Sequence, residues 1–132
     1  MSECCTSQIT ALFDNLDLFE DLDFFMDIDA QEAPVVTVFN DQYNCAARDD
    51  LHELAMSNVP FYGEHSGKDG VYNAGLFAAA DGDIVWLDAL NGMPVARVND
   101  DMSVVEADMD EVRKYYRILA RAKELMEGEN DA

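Results

Sequence analysis

Two dipeptides, Asp81-Gly82 and Asn91-Gly92, bracket an apolar run and commit the middle of this chain to antiparallel hairpins. A tight two-residue hairpin turn needs positive φ at both central positions, which Gly adopts freely and Asp and Asn tolerate better than most residues. The sequence therefore predicts a meander of Val71 to Ala80, Asp83 to Ala89 and Met93 to Val98, the third strand closing at Asn99-Asp100-Asp101. Ile84, Trp86 and Leu90 alternate with Val85 and Leu87, so the middle strand is apolar on both faces and is expected at the centre of its sheet. Met102 to Glu106 reads as a short edge strand.

Before the meander, Ile9, Leu12, Phe13, Leu16, Phe19 and Leu22 recur at steps of three and four, which predicts a helix in the first part of Thr6 to Asp29 with Asp14, Asp17 and Asp21 on its other face. Beyond Leu22 the pattern loosens, leaving a second short helix and an extended piece as alternatives. Val35 to Phe39 is β-branched and aromatic and reads as a strand, and Ala47, Leu51, Leu54 and Ala55 suggest a helix over Ala46 to Asn58, with Asn44 as its cap. The chain finishes on a helix from Met109 to Glu127, where Val112, Tyr115, Tyr116, Leu119, Ala122 and Met126 form one stripe. Asp108 with Glu111 approximates a capping box, and Gly128 stands where helices commonly stop. The expectation is one α+β domain over residues 1–132, frayed at 1–8 and 128–132. Its core is an antiparallel β-meander of three to four strands, with N-terminal, middle and long C-terminal helices packed on one face.

Charge narrows the function. Twenty-eight acidic residues against eight basic ones give a formal net charge of −20. Nine of those carboxylates fall in residues 1–33, which hold no Lys or Arg. Such a field repels itself in the compact state, and a complementary partner gains on-rate and specificity from it. It argues against direct binding to nucleic acid or anionic membranes, because each phosphate contact needs a Lys or Arg from the protein. Hydrophobic residues at 49%, with seven Phe and five Tyr, separate the chain from disordered acidic tails and supply a core. Without a leader pattern, or an apolar run near the ~18 residues of a spanning helix, the reading is a soluble, cytoplasmic protein.

Catalytic and cofactor chemistry finds little support. Gly63-Glu64-His65-Ser66-Gly67-Lys68-Asp69-Gly70 departs from a phosphate-binding loop in its glycine spacing and in having Asp69 after the Lys, and reads as a mobile loop. Calcium-loop spacing is not met at Asp81 to Asp83 or at Asp21 to Asp29. Cys4, Cys5 and Cys45 indicate neither a disulfide framework nor a zinc site with His52 and His65, and those histidines have no recognisable nucleophile partner. The chain is read as a non-enzyme without a cofactor or metal.

What remains is the acidic surface. Helix positions three or four apart put carboxylates about 5 to 6 Å from each other, close to the gap between neighbouring phosphates of a nucleic acid. Asp14, Asp17, Glu20 and Asp21 form one candidate row, continued by Asp23, Asp27, Asp29 and Glu32, and Asp49, Asp50 and Glu53 form a second patch. In size and charge the chain is similar to the acidic DNA-mimic proteins of phages and mobile elements, which include anti-restriction and anti-CRISPR inhibitors. That likeness is one of physical character and rests on no sequence motif. It implies a basic nucleic-acid-binding partner such as a CRISPR effector, a restriction enzyme or a nuclease. Charge reversal of Asp17, Asp21 and Asp23 together is then expected to abolish binding with the fold intact.

Three alternatives use the same residues differently. An antitoxin or immunity protein would turn the acidic face on a basic nuclease toxin. A regulatory adaptor would insert Phe19, Leu22, Phe25 and Ile28 into a partner groove. A halophilic proteome would make the eighteen Asp against three Lys a solvation feature. The final helix carries five of the eight basic residues, Arg113, Lys114, Arg117, Arg121 and Lys123. These are expected to pair with the acidic N-terminal segment or, alternatively, to bind something acidic or anchor a homodimer.

Overall fold

The computed structural model describes residues 7–22, 24–26, 34–40, 48–66 and 74–128. In chain order the elements are β1 (Ser7–Leu12), a 3₁₀ turn (Phe13–Asn15), α1 (Leu16–Glu20), β2 (Phe25–Met26), β3 (Val35–Asn40), α2 (Arg48–Met56), β4 (Phe61–His65), β5 (Gly75–Ala80), β6 (Asp83–Leu90), β7 (Met93–Pro94) and α3 (Glu106–Gly128). The strands form one antiparallel sheet in the order β2-β3-β1-β4-β5-β6, extended at the β6 edge by the two-residue β7. The α+β class and the long C-terminal helix agree with the sequence; the sheet is larger than the three to four strands expected.

The extra strands explain the main correction. The predicted N-terminal helix begins as β1, inserted between β3 and β4, with Ile9 opposite Val38 on one side and Gly63 on the other. Ser7, Ile9 and Ala11 are buried on one face at alternate positions, so the segment carries a period of two beneath the period that suggested a helix. Two flanking strands satisfy its backbone on both sides, a tertiary gain that local spacing does not reveal. Helix then forms only over α1.

The second correction is β4. Gly63, Glu64 and His65, read as the start of a mobile loop, lie in a strand paired to both β1 and β5. Residues 67–70 of that stretch, residues 71–73 of the predicted first meander strand, and Asn44 lie outside the described residues.

The hairpins follow the sequence. Asp81 and Gly82 take φ of 53° and 81°, Asn91 and Gly92 take 53° and 77°, and each pair joins adjacent antiparallel strands. The most deeply placed strand of the meander, however, is β5, buried at every position between β4 and β6, whereas β6 has only the short β7 on its outer side and is half-exposed along much of its length. Pro94 brings no N–H to the ladder, so the predicted Met93 to Val98 strand shrinks to β7 and one Val98–Val104 bridge. That bridge is all that forms of the edge strand expected at Met102 to Glu106.

Helices cover both faces of the sheet, not one. Ile9, Ala11, Val36, Val38, Phe61, Phe77 and Ala79 pack with Phe19 of α1 and with Leu51 and Ala55 of α2. On the opposite face, Leu76, Ala78, Ala80 and Val85 pack with Tyr115, Ile118, Ala122 and Met126 of α3. Strand alternation feeds both cores, because β5 and β6 are apolar at odd and even positions alike. The α3 helix starts at Glu106, so Asp108 is not its cap. Its carboxylate instead accepts the Arg97 backbone N–H at 2.8 Å and both arms of the Arg97 guanidinium at 2.8 and 2.9 Å. Those donors hold the Asp108 carboxyl at about 2, well below the usual carboxylate range. Among the described residues no helix is long and apolar enough to cross a membrane.

Candidate functional site

The acidic rows sit on helices fixed from below by aromatic residues. Phe19 of α1 is fully buried and packs edge-on against Phe24 and Phe61, with ring centroids 6.1 and 5.8 Å apart. Phe61 meets Phe77 at 6.1 Å, and Phe77 meets Trp86 at 4.6 Å, so an unbroken aromatic row runs under α1 to β6. The Leu22 and Phe24 amides both bond the Phe19 carbonyl at 3.0 Å and turn the chain back after α1. With Phe19 pinned inward, Asp17, Glu20 and Asp21 are left exposed, and Asp14 is exposed on the preceding 3₁₀ turn.

On α2, Leu51 and Ala55 are buried and Leu54 half-buried, leaving Asp49 and Glu53 exposed and Asp50 half-buried. Asp49 and Asp50 occupy the first turn, where carboxylates suit the positive end of the helix dipole. Both rows therefore stand on one side of the sheet. Asp23, Asp27, Asp29 and Glu32 lie outside the described residues.

Apart from Arg48, which begins α2, most of the basic residues stand elsewhere. Helix α3, on the opposite side, carries six carboxylates against five cations and is nearly balanced. Arg121 pairs with Asp81 at 2.8 Å and Lys114 with Asp83 at 3.5 Å, both in the β5–β6 hairpin, while Arg113 pairs with Glu106 and Asp110. Lys123 lies over the Tyr62 ring, 5.4 Å from its centroid. The expected pairing of this flank with the acidic N-terminal segment is not what forms among the described residues: the cations clamp α3 to the sheet and to itself. The net charge is thus polarised: α1 and α2 carry a single cation, Arg48, whereas the carboxylates of α3 are nearly matched.

Such a surface makes stability salt-dependent. Raising NaCl from about 20 mM to about 0.5 M contracts the Debye length several-fold, so repulsion among these carboxylates fades. The melting temperature is expected to rise by several degrees, as read by circular dichroism, from an already folded state at low salt. A chain that needs molar salt to fold at all would instead match halophilic solvation.

Chemistry beyond charge is sparse. His52 is exposed on α2, and His65 faces Trp86 with ring centroids 6.3 Å apart while its Nδ1 lies 2.9 Å from the Ser66 carbonyl. Among the described residues no group of three or more His, Cys, Asp or Glu is placed to hold a metal ion. Of the four residues of the adaptor motif, Phe19 is 0% exposed and Leu22 packs against the same core, while Ile28 and the Phe25 side chain lie outside what the structure describes.

Sequence reasoning missed one feature. Leu90, Met93, Val98 and Met102 are exposed at 66%, 63%, 56% and 82%, and Val95 and Val104 are exposed as well. Met102 also takes φ of 75°, a left-handed conformation that costs a bulky residue about 1–3 kcal/mol. The signal available was the apolar content of both hairpin flanks, which pattern analysis assigns to buried strands. No known protein family matches this chain, and neither a curated protein nor a solved structure matches it.

Proposed function

We propose that this protein binds and inhibits a basic nucleic-acid-binding protein by presenting phosphate-like rows of carboxylates, as an anti-restriction or anti-CRISPR type inhibitor of a phage or mobile element does. The observation that carries the reading is the segregation of charge: Asp14, Asp17, Glu20, Asp21, Asp49 and Glu53 are exposed on the side opposite α3, and no described cation pairs with them. A basic groove that normally holds nucleic acid supplies the complementary charge, and a fixed fold can occupy it without an ordering cost. The protein acts in the cytoplasm, where such partners meet nucleic acid, and performs no chemistry of its own.

The test is capture from bacterial lysate on the tagged full chain, with washes at rising salt and elution by duplex DNA or RNA. One basic nucleic-acid-binding protein or complex, released by competing nucleic acid and inhibited by the purified chain, is the expected result. Capture of a toxin nuclease encoded beside this chain would move the assignment to an immunity protein using the same surface. Retention of nothing above low salt would overturn both.

A further inference from the structure

We infer that the β6–β7 edge is an apolar docking strip for that same basic partner, which therefore presents an apolar pocket beside its cationic groove; this deepens the inhibitor reading and rests on it. Leu90 and Met93 face each other across the Asn91-Gly92 turn, and Val95 follows, its amide bonded to the Asp88 carbonyl at 3.2 Å. Behind Val95 opens a hollow of about 490 Å³ with an apolar wall of Trp86, Leu87 and Ala96 and a polar rim of Asp88 and the Arg97–Asp108 ion pair. Ile84 and Trp86 pack in the core beneath α1 and α2, and strand alternation places Leu90 on that same face of the sheet. Leu90 and its partner Met93 thus share one side of the molecule with the acidic rows, and the hollow continues from them round the sheet edge toward Asp108 of α3.

Met102 adds an independent observation. Its left-handed backbone is over-determined by the turn around it: the Met102 amide bonds the Asn99 carbonyl, the Ser103 amide and hydroxyl both bond Asp101, and Asn99 Nδ2 donates to the Ser103 hydroxyl. A tied turn that holds a methionine out in water does nothing for the core. It pre-organises an adaptable apolar contact for a partner.

Charge selects the occupant. Phosphates offer no apolar groups, so mimicry of nucleic acid alone does not call for this strip. A second copy would bring two chains of net charge −20 together with their acidic rows on the approaching side. A basic protein surface with an apolar centre meets both features, in the common arrangement of an apolar interface core within a polar rim.

The probes are two synthetic peptides of equal length and charge, one of Lys and Ser and one of Lys and Leu at helical spacing. Each is titrated into the full chain and followed by the fluorescence of the single Trp86, at about 50 and about 300 mM salt. The Lys–Leu peptide is expected to bind about tenfold tighter and to keep its advantage at the higher salt. L90S/M93S should reduce it to the Lys–Ser level, whereas D17K/D21K should weaken both peptides. Equal affinity for the two peptides, or an advantage that survives L90S/M93S, overturns the strip while leaving the charge reading standing. Failure of both peptides to bind removes the charge reading and the strip with it. Sedimentation should show a monomer; a dimer abolished by L90S/M93S would assign the strip to a second copy and overturn the proposal.

Discussion

Gly63→Ala is expected to remove a large share of the stability of this fold. A Cβ at this position would lie 2.1 Å from the Gln8 carbonyl oxygen and 3.0 Å from the Ile9 Cα, and both obstructing atoms belong to the backbone of β1. No rotamer change relieves that overlap, so β1 must part from β4. The ladder at stake runs from Ser7–His65 to Ala11–Phe61, and Phe61 is the residue on which Phe19 and hence α1 rest. A forced backbone shift in a packed region costs about 3 kcal/mol or more, against a total stability of about 5–15 kcal/mol for a domain. Thermal melts should show a loss of about 10 °C or more. Gly75→Ala is the informative comparison, because the nearest obstruction there is the His65 imidazole at 2.4 Å, which can rotate, although the Leu87 carbonyl at 2.8 Å still resists. It should cost less. A Gly63→Ala protein that melts like the parent would mean that β1 and β4 are not paired in this register.

That glycine shows what was legible in the sequence and what was not. Where local chemistry dictates local geometry, the residues spoke clearly: Asp81-Gly82 and Asn91-Gly92 adopt the positive φ their turns require, and the stripe of α3 buries Tyr115, Ala122 and Met126. Where an element exists only because distant strands flank it, they did not. Ser7 to Leu12 satisfies helical and extended spacing together, and only β3 and β4 on either side decide between them. Gly63 was conspicuous, but as a loop signal, since nothing local shows that the β1 backbone passes within contact of it. The acidic rows were legible as composition. Their placement on one side of a sheet, and the commitment of Arg121 and Lys114 to the β5–β6 hairpin, depend on topology.

The placement of the acid makes a stronger prediction than its amount. Asp17→Lys with Asp21→Lys moves the net charge from −20 to −16, two units for each reversal, and so does Glu111→Lys with Glu127→Lys on α3. All four positions are exposed, and none takes part in an ion pair among the described residues, so both double variants should fold. If the α1 row enters a basic groove, each reversal there replaces an attraction by a repulsion worth about 1–2 kcal/mol, and the pair should weaken binding by about thirtyfold or more. The α3 pair should change affinity by less than about threefold, through the long-range field alone, and that residue should vanish as salt shortens the Debye length. Inhibition titrations of both variants at two salt concentrations separate the cases. Equal losses would mean that the partner responds to net charge and not to a row, and the geometry of α1 would then have no part in recognition. A selective loss at Asp17 and Asp21 would make the aromatic row from Phe19 to Trp86 part of the binding mechanism, because it is Phe19, held in that core, that points these carboxylates outward.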